Sequence, residues 1–155
     1  MDCENEKNHI DMIESFFDKE YLVLDFLPKQ VPEKGGGRFF AVEEYYLEPS
    51  HYAVLREQFS EILLKLYCFY DIQLFIDGDT EGIANPEPEL LDSHIKDNQN
   101  ELCVLVGASE ALITLGRDDT HMTVFAPSDD LRKLVRALAG ARGLFVWKPK
   151  QECKE

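Results

Sequence analysis

The sequence predicts an α+β domain in which a mainly antiparallel sheet of about six to seven strands carries about four helices packed on it. Three observations lead there. Strand-like runs at 102–106, 111–115 and 122–125 follow one another without a helix between them. Two longer stretches, 49–70 and 128–140, repeat apolar residues at steps of three and four. With 155 residues and 45% hydrophobic content, the chain has the size of one domain and enough apolar side chain to bury roughly 68 to 70% of its unfolded surface. A single domain over 1–155 is expected, with short polar tails at about 1–6 and 150–155.

Taken in order, Ile10, Ile13 and Phe17, with Met12 and Phe16 beside them, predict a short helix within 7–17. Tyr21 to Leu27 is rich in strand formers and stops at Pro28. Lys29 to Gly37, with its three consecutive glycines, reads as the loop of a wide hairpin, and Arg38 to Leu47 as the second strand of that hairpin. Pro49 suits the first turn of a long helix whose core stripe is Tyr52, Leu55, Phe59, Ile62, Leu63, Leu66 and Tyr70. The opposite side, with Arg56, Glu57, Ser60, Glu61 and Lys65, is expected to face water.

Ile72 to Ile76 reads as a strand, and Asn85 and Pro86 as the cap and first residue of a helix carrying Leu90, Leu91 and Ile95. Leu102 to Phe125 is a three-stranded meander. Ser128 caps the next helix, with Asp129 and Asp130 at its positive end and Gly140 closing it. Its Leu131, Leu134, Val135 and Leu138, if buried, contribute about 1.5–3 kcal/mol each, more than the caps. A last strand lies within 143–148, where Trp147 is expected to pack into the core. The predicted order is α-β-β-α-β-α-β-β-β-α-β.

The formal net charge is −14, from 30 acids and 16 bases. Residues 1–100 hold 22 acids and 8 bases, whereas 101–155 hold 8 of each. Such a surface repels nucleic-acid phosphates and anionic lipid and attracts basic partners over a distance. The acidic N-terminus lacks the basic-then-apolar pattern of an export signal, and no apolar run approaches the ~20 residues of a membrane span. A soluble, cytoplasmic protein with no membrane or nucleic-acid partner is therefore expected. Cys3, Cys68, Cys103 and Cys153 show no paired spacing, which predicts reduced thiols, with Cys68 and Cys103 as small core residues.

Several short patterns bear on function. In Asp77-Gly78-Asp79-Thr80-Glu81-Gly82-Ile83-Ala84-Asn85, acids on alternate residues precede a glycine, an arrangement that turns carboxylate oxygens toward one hard cation. The stretch resembles the opening of an EF-hand calcium loop, and the resemblance implies Asp77, Asp79 and Glu81 as ligands for calcium. It departs from that pattern at Pro88, where a bidentate glutamate belongs, and a solvated acidic turn is the alternative. Otherwise no cofactor is implied. Gly35 to Arg38 lacks the Lys-Ser/Thr of a phosphate loop, and Ser109 lacks the second glycine and the following helix of a nucleophile elbow. His9, His51, His94 and His121 are dispersed and read as locally bonded residues.

No motif fits a catalytic centre, so the sequence favours a non-catalytic acidic module that binds a basic protein surface. Glu43, Glu44, Glu57, Glu61, Asp77, Asp79 and Glu81 are the candidate contacts. Small acidic inhibitors of nucleases, such as bacterial immunity proteins, use the same physics; the analogy is one of charge and size. Two alternatives stand beside this reading. One is a metal-binding or small-molecule-binding domain at Asp77 to Glu81, catalysis included; the other is an accessory subunit or homo-oligomer joined through a strand edge.

Overall fold

In the computed structural model, residues 10–27, 38–79, 81–107 and 110–148 are described. Strands β1 (Tyr21–Asp25), β2 (Ile72–Ile76), β3 (Ile83–Ala84), β4 (Leu102–Val106), β5 (Ala111–Leu115), β6 (His121–Phe125) and β7 (Phe145–Trp147) form one sheet. Its spatial order is β3-β2-β4-β5-β6-β1-β7, and every neighbouring pair is antiparallel. The helices are α1 over 10–16, α2 (Arg38–Leu47), α3 (Pro49–Tyr67), α4 (Pro88–Asp97) and α5 (Asp129–Ala141). The α+β class and the antiparallel sheet follow the sequence reading.

The two-residue period of a strand sorts its side chains onto two faces. One face presents Leu24, Leu74, Val104, Ile113, Met122 and Val124 to Leu55, Phe59, Ile62, Leu91, Ile95, Leu131 and Val135 of α3, α4 and α5, and this is the main core. The other face is only partly covered. There Phe16 of α1 sits against Phe75, Leu105 and Leu112 in a second, smaller cluster. Further along that face, over β6, β1 and β7, the sheet lines an open groove.

Residues 38–47 are helical, which corrects the expected strand. Phe39, Phe40, Ala41 and Val42 put apolar groups on both parities of a two-residue repeat, so a strand here would carry aromatic rings on both faces. As a helix, the run places Phe39, Glu43 and Tyr46 along one side. Phe39 and Glu43 are half-buried, and Tyr46 meets Phe26 edge-on with ring centroids 5.2 Å apart. The expected hairpin loop, 29–37, lies outside the described residues.

Helix α3 also differs from expectation, because Arg56 and Ser60 are buried. This helix packs on the sheet with one side and on α4 with the next, so a polar stripe is enclosed as well as the apolar one. Arg56 Nε donates to Ile95 O (2.7 Å) and Nη1 to Gly116 O (3.1 Å), while the Ser60 hydroxyl donates to Asp92. Every enclosed polar group needs such partners.

Three smaller corrections concern element ends. Asn85 does not cap α4. It adopts a left-handed φ of 45°, and its N–H and side-chain oxygen both bond Ile72 (2.8 and 3.0 Å), so the helix begins two residues after Pro86, at Pro88 with Glu87 as its cap. Gly140 lies inside α5, and the left-handed residue beyond that helix is Gly143 (φ 74°). Cys68, past the end of α3, is an exposed free thiol; Cys103 is half-buried and free. The Ser128 cap is as expected, its hydroxyl accepting from Leu131 N–H at 3.2 Å.

Candidate functional site

The groove is built by strand alternation. β1 contributes Tyr21, Val23 and Asp25, β6 contributes His121, Thr123 and Phe125, β7 contributes Trp147, and Phe17 stands just beyond α1. Register fixes who faces whom: Asp25 lies opposite His121, Val23 is flanked by Thr123 and Trp147, and Tyr21 lies opposite Phe125. Opposed side chains in antiparallel strands have Cβ atoms about 4.5–5.5 Å apart. Phe125 joins the walls, meeting Phe17 edge-on and Tyr21 at a tilt, each at 5.4 Å between centroids. The cavity measures about 460 Å³, within the ~300–1,000 Å³ of small-ligand sites.

Asp25 is the acidic group of the groove. Its Oδ1 accepts from Leu27 N–H at 3.1 Å. Burial holds its carboxyl above the usual aspartate value, while the Leu27 N–H, the charge of His121 and the Phe26 N–H pull it down and Glu43 pushes it up. Glu43, one of the expected contacts, is on α2 and is the smallest of these influences. A half-buried carboxylate beside aromatic rings, facing an imidazole, is the site's chemistry: rings and carboxylate both attract positive charge.

Trp147 is half-buried against the groove and not in the core. Its strand-end position carried no signal to separate the two placements. The sequence presents His121 as a locally bonded residue; the strand it begins places it opposite Asp25. Asp25 itself was passed over, because a single acid within an apolar run looks like an interruption.

The seven acids expected to bind a partner lie in separate places. Glu43 and Glu44 are on α2, Glu57 and Glu61 on α3, and Asp77, Asp79 and Glu81 around the β2–β3 turn. β2 and β1 are four strand spacings apart, about 19 Å, so the turn and α2 occupy opposite parts of the molecule. Glu61 is ion-paired with Arg142 at 2.7 Å. Asp77 has a left-handed φ of 52° and accepts from Glu101 N–H at 2.8 Å. Glu44, Glu57, Asp79 and Glu81 are exposed. Among the described residues, no group of three or more His, Cys, Asp or Glu is placed to hold a metal ion. Thr80, inside the EF-hand-like stretch, and Ser109 lie outside the described residues.

A second cavity of about 330 Å³ separates α2 and α3 from the α5–β7 turn, between Phe26, Tyr46, His51 and Arg142. His51 stacks on Tyr45 at 3.9 Å between centroids, and its Nδ1 lies 2.8 Å from Tyr45 O, which fixes the α2–α3 corner. Along α2 no residue is buried: Phe40 is 58% and Tyr45 56% exposed, and Val42, Tyr46 and Leu47 are exposed with them, as is Val54 of α3. No helix among the described residues is long and apolar enough to cross a membrane. Comparison of the chain with protein-family models, curated proteins and solved structures gives no match.

Proposed function

We propose that this protein is a non-catalytic binding module that engages a basic protein partner, with α2 as its docking helix. The observation that carries this reading is the exposed aromatic surface of α2 set among acids. Large exposed apolar patches mark interaction sites, and aromatic side chains are the usual anchors of interfaces. Here Phe40, Tyr45 and Leu47 are exposed beside Glu43, Glu44 and Glu48. In a chain of net charge −14, such a surface favours a basic partner and speeds its approach. Of the candidate contacts, Glu43 and Glu44 belong to this surface, and the β2–β3 acids contribute to the long-range field.

Capture of partners from native lysate at about 0.05 M and about 0.3 M salt tests this reading. A basic protein is retained at low salt, released at high salt, and lost to Tyr45→Ser in a folded variant. Retention of nothing basic, or capture indifferent to salt and to Tyr45→Ser, refutes it.

A further inference from the structure

Phe26, at the end of β1, packs on Tyr46 of α2 from the main-core face of the sheet, while Asp25 before it lines the groove on the other face, so the two surfaces meet at the end of β1. A partner that grips the helix and turns around the end of β1 meets the groove, and the groove's own chemistry says what it accepts. An anion is opposed both by Asp25 and by the overall charge of −14. A neutral apolar guest would cover a carboxylate without compensating it, which is costly. A cation compensates Asp25 and gains from the negative faces of the aromatic rings, among which tryptophan is the strongest.

Between the two permanent cations that proteins carry, guanidinium suits this site better. It is planar, weakly hydrated, stacks on aromatic rings and offers a fork of donors to a carboxylate, whereas ammonium is compact and strongly hydrated. We propose that the groove is a socket for an arginine side chain of the partner, with Asp25 pairing with the guanidinium and Tyr21, Phe125 and Trp147 packing along it. The proposal rests on the α2 docking reading for the origin of the arginine, and extends it by locating one contact.

Trp147 is the chain's single tryptophan, so its fluorescence reports on the groove alone. The probe is acetyl-Gly-Arg-Gly-amide, titrated at pH about 8, above the ordinary histidine range, with amide chemical shifts recorded in parallel. Matched tripeptides with lysine or with citrulline, the neutral isostere of arginine, serve as controls. The arginine peptide saturates a Trp147 signal and shifts residues of β1, β6 and β7. Affinity falls about tenfold or more for citrulline and for Asp25→Asn, and is unchanged in Glu89→Gln on α4.

A silent groove, equal binding of citrulline, or full affinity in folded Asp25→Asn overturns the socket. Lysine binding as tightly as arginine overturns the guanidinium assignment. Tyr45→Ser, which abolishes partner capture on the α2 reading, leaves tripeptide binding unchanged, so the two readings fail separately. Salt-sensitive capture with a silent groove sinks the socket alone, and a filled groove without a basic partner sinks the docking helix alone.

Discussion

Arg56→Met removes a side chain that is 1% exposed and joins three elements. Its Nε and Nη1 bond the carbonyls of Ile95, near the end of α4, and Gly116, in the β5–β6 turn, at 2.7 and 3.1 Å. Hydrogen bonds from a charged donor contribute about 1.5–3 kcal/mol each, or about 3–6 kcal/mol for two. Methionine fills similar space and no longer buries a charge, which returns part of that loss. The net cost is about 2–4 kcal/mol, large against the ~5–15 kcal/mol of a whole domain. At about 2–4 °C per kcal/mol for a chain of this size, Tm falls by about 4–16 °C. Urea unfolding measures the loss, with a lower midpoint and unchanged slope. Arg56→Lys is expected to be impaired too, because its donors sit on one nitrogen while the two carbonyls are engaged by different ones. A loss below about 1 kcal/mol for Arg56→Met, or wild-type stability in Arg56→Lys, refutes the argument that the fork fastens the elements together.

Two further predictions concern carboxyl groups. Folding raises the Asp25 pKa, so the folded state holds its proton more tightly than the unfolded one, and this residue's destabilising effect grows as pH rises from the unfolded value through the folded one. Asp25→Asn, whose side-chain oxygen still accepts from Leu27 N–H, therefore raises Tm at pH 7, and the gain vanishes near pH 3, where both states are largely protonated; a lower Tm at pH 7 in thermal melts refutes this. Asp92 is the opposite case: the Ser60 hydroxyl, ahead of Lys96, lowers its pKa against the effect of burial, so its stabilisation is present above the unfolded value and lost as pH falls through the folded one. Ser60→Ala should destabilise at pH 7 and by less at pH 2, and an equal loss at both pH values would place the effect in packing alone.

How much was legible in the sequence follows from which forces are local. The meander was readable because each run, such as Leu102 to Val106, is short, apolar and bounded by turn residues, and α5 because Ser128 and its apolar stripe agree. The helix at 38–47 was not, since its aromatic residues satisfy strand propensity, which masks the apolar groups on both parities at Phe39 to Val42; packing of Tyr46 against Phe26 agrees with the helix. Arg56 and Ser60 were assigned to water because one helix has one obvious apolar stripe. That α4 lies over the second stripe is a fact about topology, and Ile95 O and Asp92 are 39 and 32 residues away. The groove was hidden for the same reason. Asp25 and His121 are opposed only once β1 pairs with β6, a pairing that nothing in either run specifies.

The acids do not all bear on function equally, and the fold separates them. Asp77 accepts from Glu101 N–H, Glu101 from Arg117 N–H and Asp119 from Gly116 N–H. Gly116 is suited to its corner, since a Cβ there would approach Asp119 Oδ2 to 2.6 Å. These carboxylates close turns, and their presence needs no partner to explain it. Asp25 is the contrary case. Burial disfavours its charged form, and the strand positions beside it on the same face, Val23 and Thr123, carry residues that suit a half-covered sheet at no such cost. Local stability would favour a residue of that kind at position 25. In the proposed socket a guanidinium would add to the compensation that the Leu27 N–H, His121 and the Phe26 N–H already give, and would draw the Asp25 pKa downward, opposite in sign to the effect of burial. On that proposal the carboxylate whose charge burial disfavours in the free protein would strengthen the complex, the trade expected of a residue kept for binding.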